Sequence, residues 1–275
     1  MKKIGIIGAG SMGGAIARGL LETGYVRPGE LAVCDPKAEI LQTIQSEWPA
    51  VTCVTSADAL CGLTNTVVLA VKPHLVAEVV DQCGDSLTEH AVISIAAGIT
   101  VARLHELLDP LRARVLRVMP NTPALVGEGM TALCSETTLT QEELDFARGV
   151  FDALGKTVMM PERLFDGVIA VSGSSPAYVY MLIEAMADAG VREGIPWSDA
   201  CRMAAQSVLG SALMVMNTGT HPAALRNAVC SPGGTTIEAV AALEELGFRS
   251  SVMEAMRRCA EKSRDMSKET RNRRR

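Results

Sequence analysis

The segment GAGSMG, residues 8–13, has the glycine spacing of a turn that binds phosphate groups. It follows the apolar run KIGII (3–7) and precedes the helical pattern AIARGLLETG. In such a turn the first glycine allows a tight bend, the second lets the backbone approach a pyrophosphate, and the third permits close packing of helix and strand. The phosphates then lie at the helix N-terminus. This context predicts a dinucleotide-binding site rather than a merely structural glycine turn.

Asp35 ends the second apolar run, LAVCD (31–35), and is the next residue with chemistry suited to a dinucleotide. A carboxylate at this point usually accepts a hydrogen bond from the ribose 2′-OH of NAD and repels the 2′-phosphate of NADP. Lys37, two residues on, can partly offset that repulsion. The alternative is that Asp35 caps a helix over 37–46 that begins with Pro36. On local chemistry alone, NADH is slightly favoured over NADPH.

Two further strand ends should face the same crevice, because ligands of parallel sheets bind beyond the carboxyl ends of the strands. These strands are TVVLAV (66–71) and AVISIA (91–96). Lys72 is either a contact to the cofactor or the reacting groups, or a solvated lysine. Asn121 lies between two prolines and is either a ligand contact or part of a simple turn. The predicted cofactor contacts are Ile7, Gly8, Ala9, Gly10, Ser11, Met12, Asp35, Ala70, Val71, Lys72, Pro73, Ala96, Ala97, Gly98 and Asn121.

A second candidate site is the segment CSPGGTTIEAV, residues 230–240. Its two glycines form a turn, and Thr235 and Thr236 open a helical pattern. The free N–H groups and the dipole at a helix N-terminus favour a negative ligand. Because the first turn already serves the phosphates, this one suits a small carboxylate. The alternative is a well-capped surface helix whose threonines serve only their own backbone.

The order of apolar runs predicts two parts of different architecture. Over residues 1–160, nearly continuous apolar strands alternate with helical patterns, which indicates a parallel sheet covered on both faces. Weaker strands are expected near 130–134 and 157–160. Residues 161–275 show long helical patterns rich in small residues and few aromatics. We therefore expect a Rossmann-type α/β N-terminal domain followed by an all-α C-terminal domain that completes its core against a second subunit.

Composition excludes several classes of protein. Aromatic residues make up 3% of the 275 residues and the net charge is −5, which argues against a nucleic-acid-binding protein. The eight cysteines form no CxxC pair, so we expect reduced thiols in the cytoplasm and no metal site. The apolar stretch 168–190 contains Ser172, Ser174, Glu184 and Asp188, and we expect no membrane span. The basic tail, 271–275, is interpreted as a solvated end.

Six segments together resemble pyrroline-5-carboxylate reductases, over a match from Lys3 to about Met266. They are IGIIGAGSMG, AVKP, SIAAG, MPNTPA, SGSSPAYVY and VCSPGGTTIEAV. The resemblance implies reduction of 1-pyrroline-5-carboxylate to L-proline by NAD(P)H. It also implies an interlocked dimer of C-terminal domains, and in this family such dimers often assemble into a decamer of five dimers. The active site then combines the cofactor of one subunit with the SPGGTT segment of its partner.

The resemblance also assigns roles to residues. Thr236 is the catalytic hydroxyl near the imine nitrogen, and Glu162 is a further substrate contact, unless it is a solvated linker acid. The remaining implied substrate contacts are Ser231, Gly233, Gly234 and Thr235. Asp35 and Ala228 depart from the family pattern. Members often carry Ser or Thr at the position of Asp35 and favour NADPH, so the choice between NADPH and NADH stays open.

Two other functions compete with this one. A β-hydroxyacid dehydrogenase would offer a catalytic lysine early in the helical domain, but no lysine lies between Asp166 and Arg249. Another cyclic-imine reductase would share most of the same features. A catalytically silent nucleotide-sensing scaffold would bind the cofactor without turnover, and the intact SPGGTT and AVKP segments argue against it.

Overall fold

The computed structural model describes residues 3–272, with side chains as far as Lys268. The basic tail at 271–275, interpreted above as a solvated end, lies outside the described side chains. The residues form two compact units. One comprises the chain up to Ser174 together with the segment from Cys259 onward, and the other is Ser175–Arg258.

The first unit is built on one eight-stranded sheet. The strands are β1 (Ile4–Ile7), β2 (Leu31–Cys34), β3 (Thr52–Val54), β4 (Thr66–Leu69), β5 (Ala91–Ser94), β6 (Arg114–Met119), β7 (Gly129–Cys134) and β8 (Gly155–Met160). Their order is β3-β2-β1-β4-β5-β6-β7-β8, and only β6 and β7 pair antiparallel. The order of the first six is that of a dinucleotide-binding doubly wound fold.

Helices cover both faces of this sheet. They are α1 (Ser11–Glu22), α2 (Ala38–Glu47), α3 (Ala57–Cys61), α4 (Val76–Cys83), α5 (Val101–Leu108), α6 (Gln141–Asp152) and α7 (Phe165–Val168). One core cluster contains the buried faces of α3, α4 and α5, and the other contains those of α1, α2 and α6. Every residue of β1, β2 and β5 is buried, which explains the continuous apolar runs in the sequence. The predicted Rossmann-type fold is confirmed.

The second unit contains only helices and turns. They are α8 (Ser175–Arg192), α9 (Trp197–Thr218), α10 (Pro222–Val229) and α11 (Thr235–Glu245), followed by the first part of α12 (Phe248–Asn272). Few of their residues are buried: α8 buries Ala187, and α9 buries Ala200 and Ala204. Large apolar side chains are instead exposed along them, including Met181, Met203, Leu213 and Met216. The unit therefore carries far more apolar surface than an isolated helical bundle needs.

The sequence placed the division between the two parts at residue 160, where the last strand ends at Met160. The compact units divide later, after Ser174, and the end of α12 belongs to the first unit. Hydrogen bonds within the first unit explain this. The hydroxyl of Ser263 donates to Asp166 at 2.6 Å, and the thiol of Cys259 donates to Ser174 at 3.3 Å. The sequence pattern does not reveal that the end of α12 packs against the first unit.

The stretch from Glu162 to Arg192 is apolar and almost continuously helical. Its backbone changes from a 3-10 turn to α7, then to a π-helix over Ile169–Gly173, and then to α8. It is the one helical stretch among the described residues that is long and apolar enough to cross a membrane, with a mean hydropathy of 1.2, by length and composition only. Only 11% of its most apolar window is buried. The polar side chains in this stretch therefore do not by themselves exclude a membrane span, and the expectation of none stays a prediction.

Candidate cofactor and substrate sites

The glycine turn lies between β1 and α1, where the sequence predicts the phosphates. Gly8 has φ +95°, and its N–H donates to the carbonyl of Cys34 at 2.8 Å. A Cβ at Gly8 would lie 2.7 Å from the carbonyl oxygen of Ala70, so only glycine fits. Gly10 is the N-cap of α1, and no side chain caps this helix. A Cβ at Gly10 would meet nothing within 4 Å, so the space above the helix N-terminus is open to a ligand.

Asp35 is buried at the carboxyl end of β2 and holds two backbone N–H groups. One carboxylate oxygen accepts from Ala9 at 2.9 Å, and the other accepts from Lys37 at 2.9 Å. The N-cap of α2 is Lys37, so the alternative that Asp35 caps this helix is wrong. The carboxylate instead fastens the glycine turn to β2. Lys37 itself is exposed.

The two other strand ends predicted to contact the cofactor have small or exposed residues. After β4, Ala70 donates its N–H to Ile7 at 2.8 Å, and the exposed Lys72 precedes a 3-10 turn that begins at Pro73. After β5, Ala96 is buried and Gly98 has φ +76°. The carboxyl ends of β1, β4 and β5 are adjacent in the sheet, so these segments border one crevice.

Asn121 has both ends of its side-chain amide in hydrogen bonds. Its Nδ2 donates to the carbonyl of Ser172 at 3.0 Å, in the π-helix, and its Oδ1 accepts from Met130 at 2.8 Å. The residue is buried and begins the 3-10 turn Thr122–Val126. These contacts support the structural interpretation of Asn121, which joins three segments of the first unit, whereas its cofactor contact stays a prediction.

Glu162 is paired rather than solvated. Its Oε1 accepts from the Arg117 guanidinium at 2.8 Å and from the backbone N–H of Val101 at 2.6 Å. The residue also lines a cavity of about 340 Å³ whose other walls are Gly98, Thr100, Ala102, Arg103, Glu106, Ser267 and Lys268. The alternative of a solvated linker acid is wrong. Arg117 was missed at the sequence level, although an arginine inside the buried strand VLRVM is itself a signal of a paired internal charge.

The SPGGTT segment forms the N-terminus of α11. Gly233 has φ +68°, Gly234 is the N-cap, and the N–H of Gly234 donates to the carbonyl of Ser231 at 3.1 Å. No side chain caps the helix. The threonines lie inside the helix rather than at the cap, with Thr235 exposed and Thr236 half-buried. The alternative that they serve as caps is therefore not supported, and the first N–H groups of α11 are available to an anion.

Nothing among the described residues groups three or more histidine, cysteine or acidic side chains as a metal site. The cysteines are free, and several are buried in the sheet unit. Burial raises the pKa of Cys34 to about 11 and that of Cys134 to about 12. These two thiols therefore stay protonated at neutral pH, so they are poor nucleophiles.

Two family models match the chain. Residues 162–266 match a model described as pyrroline-5-carboxylate reductase dimerisation, and residues 3–98 match one described as NADP oxidoreductase, coenzyme F420-dependent. The pyrroline-5-carboxylate reductase of Escherichia coli (strain K12) is 45% identical over 97% of this chain and 99% of its own length. That of Methanosarcina acetivorans is 38% identical, with 97% and 98% covered.

Solved structures agree with these relatives. The Plasmodium falciparum pyrroline carboxylate reductase with NADP bound superposes with a TM-score of 0.87 at 30% identity, covering 97% of this chain and 98% of that one. The Coxiella burnetii pyrroline-5-carboxylate reductase gives a TM-score of 0.88 at 31% identity with the same coverage. On identity along almost its whole length, on the matched dimerisation region and on the fold, the chain belongs to the pyrroline-5-carboxylate reductase family.

Proposed function

We propose that the chain catalyses the reduction of 1-pyrroline-5-carboxylate to L-proline with a reduced nicotinamide dinucleotide, the last step of proline biosynthesis. The family is an oxidoreductase family, and the observation that carries the proposal is the N-terminus of α11. It has glycine at the N-cap, no side-chain cap and two threonines in the first turn, in a chain that matches family members over 97% of its length.

The first unit fits a dinucleotide. The open space at Gly10, the tight turn at Gly8 and the uncapped N-terminus of α1 suit a pyrophosphate. We place the nicotinamide end beside the small residues of Ala70 and Ala96–Gly98, at the adjacent strand ends. When bound, the reduced cofactor supplies a hydride, and the protein contributes binding and orientation.

The N-terminus of α11 holds the substrate carboxylate. Backbone N–H groups of the first turn provide two or three charge-assisted hydrogen bonds, each worth about 1.5–3 kcal/mol. Thr236 places its hydroxyl beside the imine nitrogen, and Ser231, Gly233, Gly234 and Thr235 shape the surrounding turn. A substrate that enters as the iminium needs no proton from the protein, because hydride addition to the ring carbon yields the neutral secondary amine. Orientation is then the main catalytic contribution.

For the cofactor, we favour NADPH with measurable use of NADH. The NADP description of the matched model and the NADP-bound relative support NADPH. The carboxylate of Asp35 opposes it, but that carboxylate is buried and already accepts two backbone hydrogen bonds, and the exposed Lys37 lies two residues on. The charges of Asp35 and Lys37 therefore oppose a 2′-phosphate less than the sequence alone suggested.

The family match also indicates a homo-oligomer, since the matched region is a dimerisation domain. We propose an interlocked dimer in which the exposed apolar side chains of the helical unit, including those of the apolar stretch Glu162–Arg192, are covered by a second copy rather than by lipid. The active site then takes its α11 N-terminus from the partner subunit. The same resemblance implies a decamer of five dimers, and the eight free cysteines fit a reducing compartment such as the cytoplasm.

The test is a set of initial rates of NADPH and NADH oxidation with 1-pyrroline-5-carboxylate, at matched cofactor concentrations. We expect turnover with both cofactors and a higher kcat/KM for NADPH. Protein that is folded and binds dinucleotide yet turns over neither would overturn the proposal and direct the search to other cyclic imines and to hydroxyacids.

A further inference from the structure

Arg117 is a charged residue inside the sheet. It lies in β6, opposite Ser94 of β5, and is 4% exposed. Its guanidinium carbon lies 4.6 Å from the centre of the Phe165 ring, which is itself buried. Because a buried charge without a partner is strongly unfavourable, the position of Arg117 depends on its counter-ion.

That counter-ion is Glu162, and one of its carboxylate oxygens accepts two hydrogen bonds. Oε1 accepts from Arg117 at 2.8 Å and from the N–H of Val101 at 2.6 Å. Val101 is the first residue of α5, so the carboxylate also meets the positive end of that helix. Glu162 is fixed in turn, because its own N–H donates to Glu136 at 2.8 Å.

The segment between β5 and α5 is thereby held at both ends. At its start, the N–H of Ile95 donates to Leu69 at 3.2 Å, and at its end Val101 donates to Glu162. Between them the chain turns at Gly98, with φ +76° and a hydrogen bond from Ile99 to Ala96 at 3.3 Å. This turn, Ala96–Gly98, contains three of the predicted cofactor contacts.

We propose that Glu162 and Arg117 are positioning residues for the cofactor, which hold the Ala96–Gly98 turn in place and do not contact the substrate. The inference rests on the proposed function and changes the role that the sequence resemblance gave to Glu162. A direct ligand contact is the competing role, because Glu162 also lines the 340 Å³ cavity.

The experiment compares Glu162→Gln, Arg117→Met and the double variant. Two quantities are measured: the NADPH Kd without substrate, from nicotinamide fluorescence, and the KM for 1-pyrroline-5-carboxylate at saturating NADPH. We expect each single variant to raise the Kd about fivefold or more and the double variant to raise it no further, since the pair acts as a unit. The substrate KM should stay within about twofold. Glutamine keeps an acceptor for Val101, so Glu162→Gln changes the charge with little change in shape.

Arg114 and Glu143 supply a matched control. They form a second arginine–glutamate pair. Arg114 is the first residue of β6, and its Nε donates to Oε2 of Glu143 at 2.8 Å. Glu143 also lies in the first turn of a helix, α6. Glu143→Gln should also lower the Tm, by less than Glu162→Gln because Arg114 is half-buried whereas Arg117 is buried, and it should not change the NADPH Kd.

Two outcomes would overturn the inference. A raised substrate KM with an unchanged NADPH Kd in Glu162→Gln would make Glu162 a substrate contact. An unchanged Kd in folded protein of all three variants, or the same rise in Glu143→Gln, would leave the pair with a role in stability alone. The cofactor Kd is measured without substrate, so it remains decisive even if the wild-type protein fails to reduce 1-pyrroline-5-carboxylate.

Discussion

Single residues show where sequence reasoning succeeds and where it stops. The position of Asp35 at the end of β2 was predictable from the apolar run before it. Its partners were not, because the N–H of Ala9 lies 26 residues away in sequence. The same limit applies to Asn121, whose partner Ser172 lies 51 residues on. A residue type and its strand end can be read from the sequence, whereas its hydrogen bonds depend on which segments the fold brings together.

Asp35 gives the first prediction, on the choice of cofactor. Asp35→Asn removes the negative charge and keeps an acceptor for one backbone N–H, so the NADPH:NADH ratio of kcat/KM should rise about tenfold, equal to about 1.4 kcal/mol. Lys37→Met is the opposite control and should lower the ratio. The measurement is steady-state kinetics with both cofactors. An unchanged ratio in Asp35→Asn would mean that this carboxylate does not reach the ribose or its phosphate.

Thr236 gives the second prediction, on the chemical step. Thr236→Ala removes a hydroxyl that we place beside the imine nitrogen, and kcat/KM for the substrate should fall about 10- to 100-fold. The NADPH Kd should not change, since we propose that the cofactor binds the other unit. Thr236→Ser restores the hydroxyl and should recover most of the activity. If the serine and alanine variants were equally active, the hydroxyl would have no part in turnover.

At the scale of elements, the two helices predicted to bind ligands begin in the same way. Both α1 and α11 have glycine at the N-cap and no side-chain cap. By contrast, α3, α5 and α6 begin with Ser56, Thr100 and Thr140, whose hydroxyls accept backbone hydrogen bonds. An uncapped helix N-terminus leaves N–H groups for another partner. The helices α2 and α4 also lack a side-chain cap, with Lys37 and Leu75 at their N-caps, so the glycine is the distinguishing feature. That glycine can be recognised in the sequence.

The glycine turn of α1 gives the third prediction. Gly10→Ala adds a Cβ that meets nothing within 4 Å, so the Tm should stay close to that of the wild type. The same Cβ would occupy the open space of the phosphate site, and the NADPH Kd should rise about tenfold or more. Gly13→Ala is the matched contrast, because its Cβ would overlap the carbonyl oxygen of Gly8 and should lower the Tm itself. Normal NADPH affinity in Gly10→Ala would contradict this use of the turn.

Element boundaries followed the sequence closely for the two long strands at the end of the sheet, although β8 is only half-buried. The predicted strands 130–134 and 157–160 correspond to β7 (Gly129–Cys134) and β8 (Gly155–Met160). The short β3, Thr52–Val54, was not predicted because its three residues are only half-buried and show no apolar run. The π-helix Ile169–Gly173 was read as ordinary helix. Its backbone departs from the α pattern where Asn121 holds the carbonyl of Ser172, which is a tertiary contact.

At the scale of the whole molecule, a single chain leaves a large apolar surface exposed. The helical unit exposes Leu213 and Met203, together with many other large apolar side chains, in the region matched by the dimerisation model. Small residues and the low aromatic content predicted this need for a partner. The sequence did not identify which faces stay open, because that depends on how α8 and α9 pack together.

The fourth prediction concerns this surface. Leu213→Glu places a charge among side chains that we expect a second copy to cover, so light scattering at micromolar concentration should show a shift from dimer or larger species to monomer. Activity should fall with it, because in the proposed dimer the site takes its α11 N-terminus from the partner. Val126→Glu is the control: Val126 is 76% exposed but lies outside the matched region. A Leu213→Glu protein with unchanged molar mass would place the interface elsewhere.

The helix α12 has a consequence for how such a chain can evolve. Its 25 residues begin in the helical unit, and the segment from Cys259 onward belongs to the sheet unit, where Ser263 binds Asp166. The nucleotide-binding half is therefore not one continuous stretch of the gene. Recombination that exchanges residues 1–160 as a block would separate that half from the end of its own α12. Swaps that carry both segments together should preserve the fold, so modular exchange of cofactor halves within this family needs two crossovers rather than one.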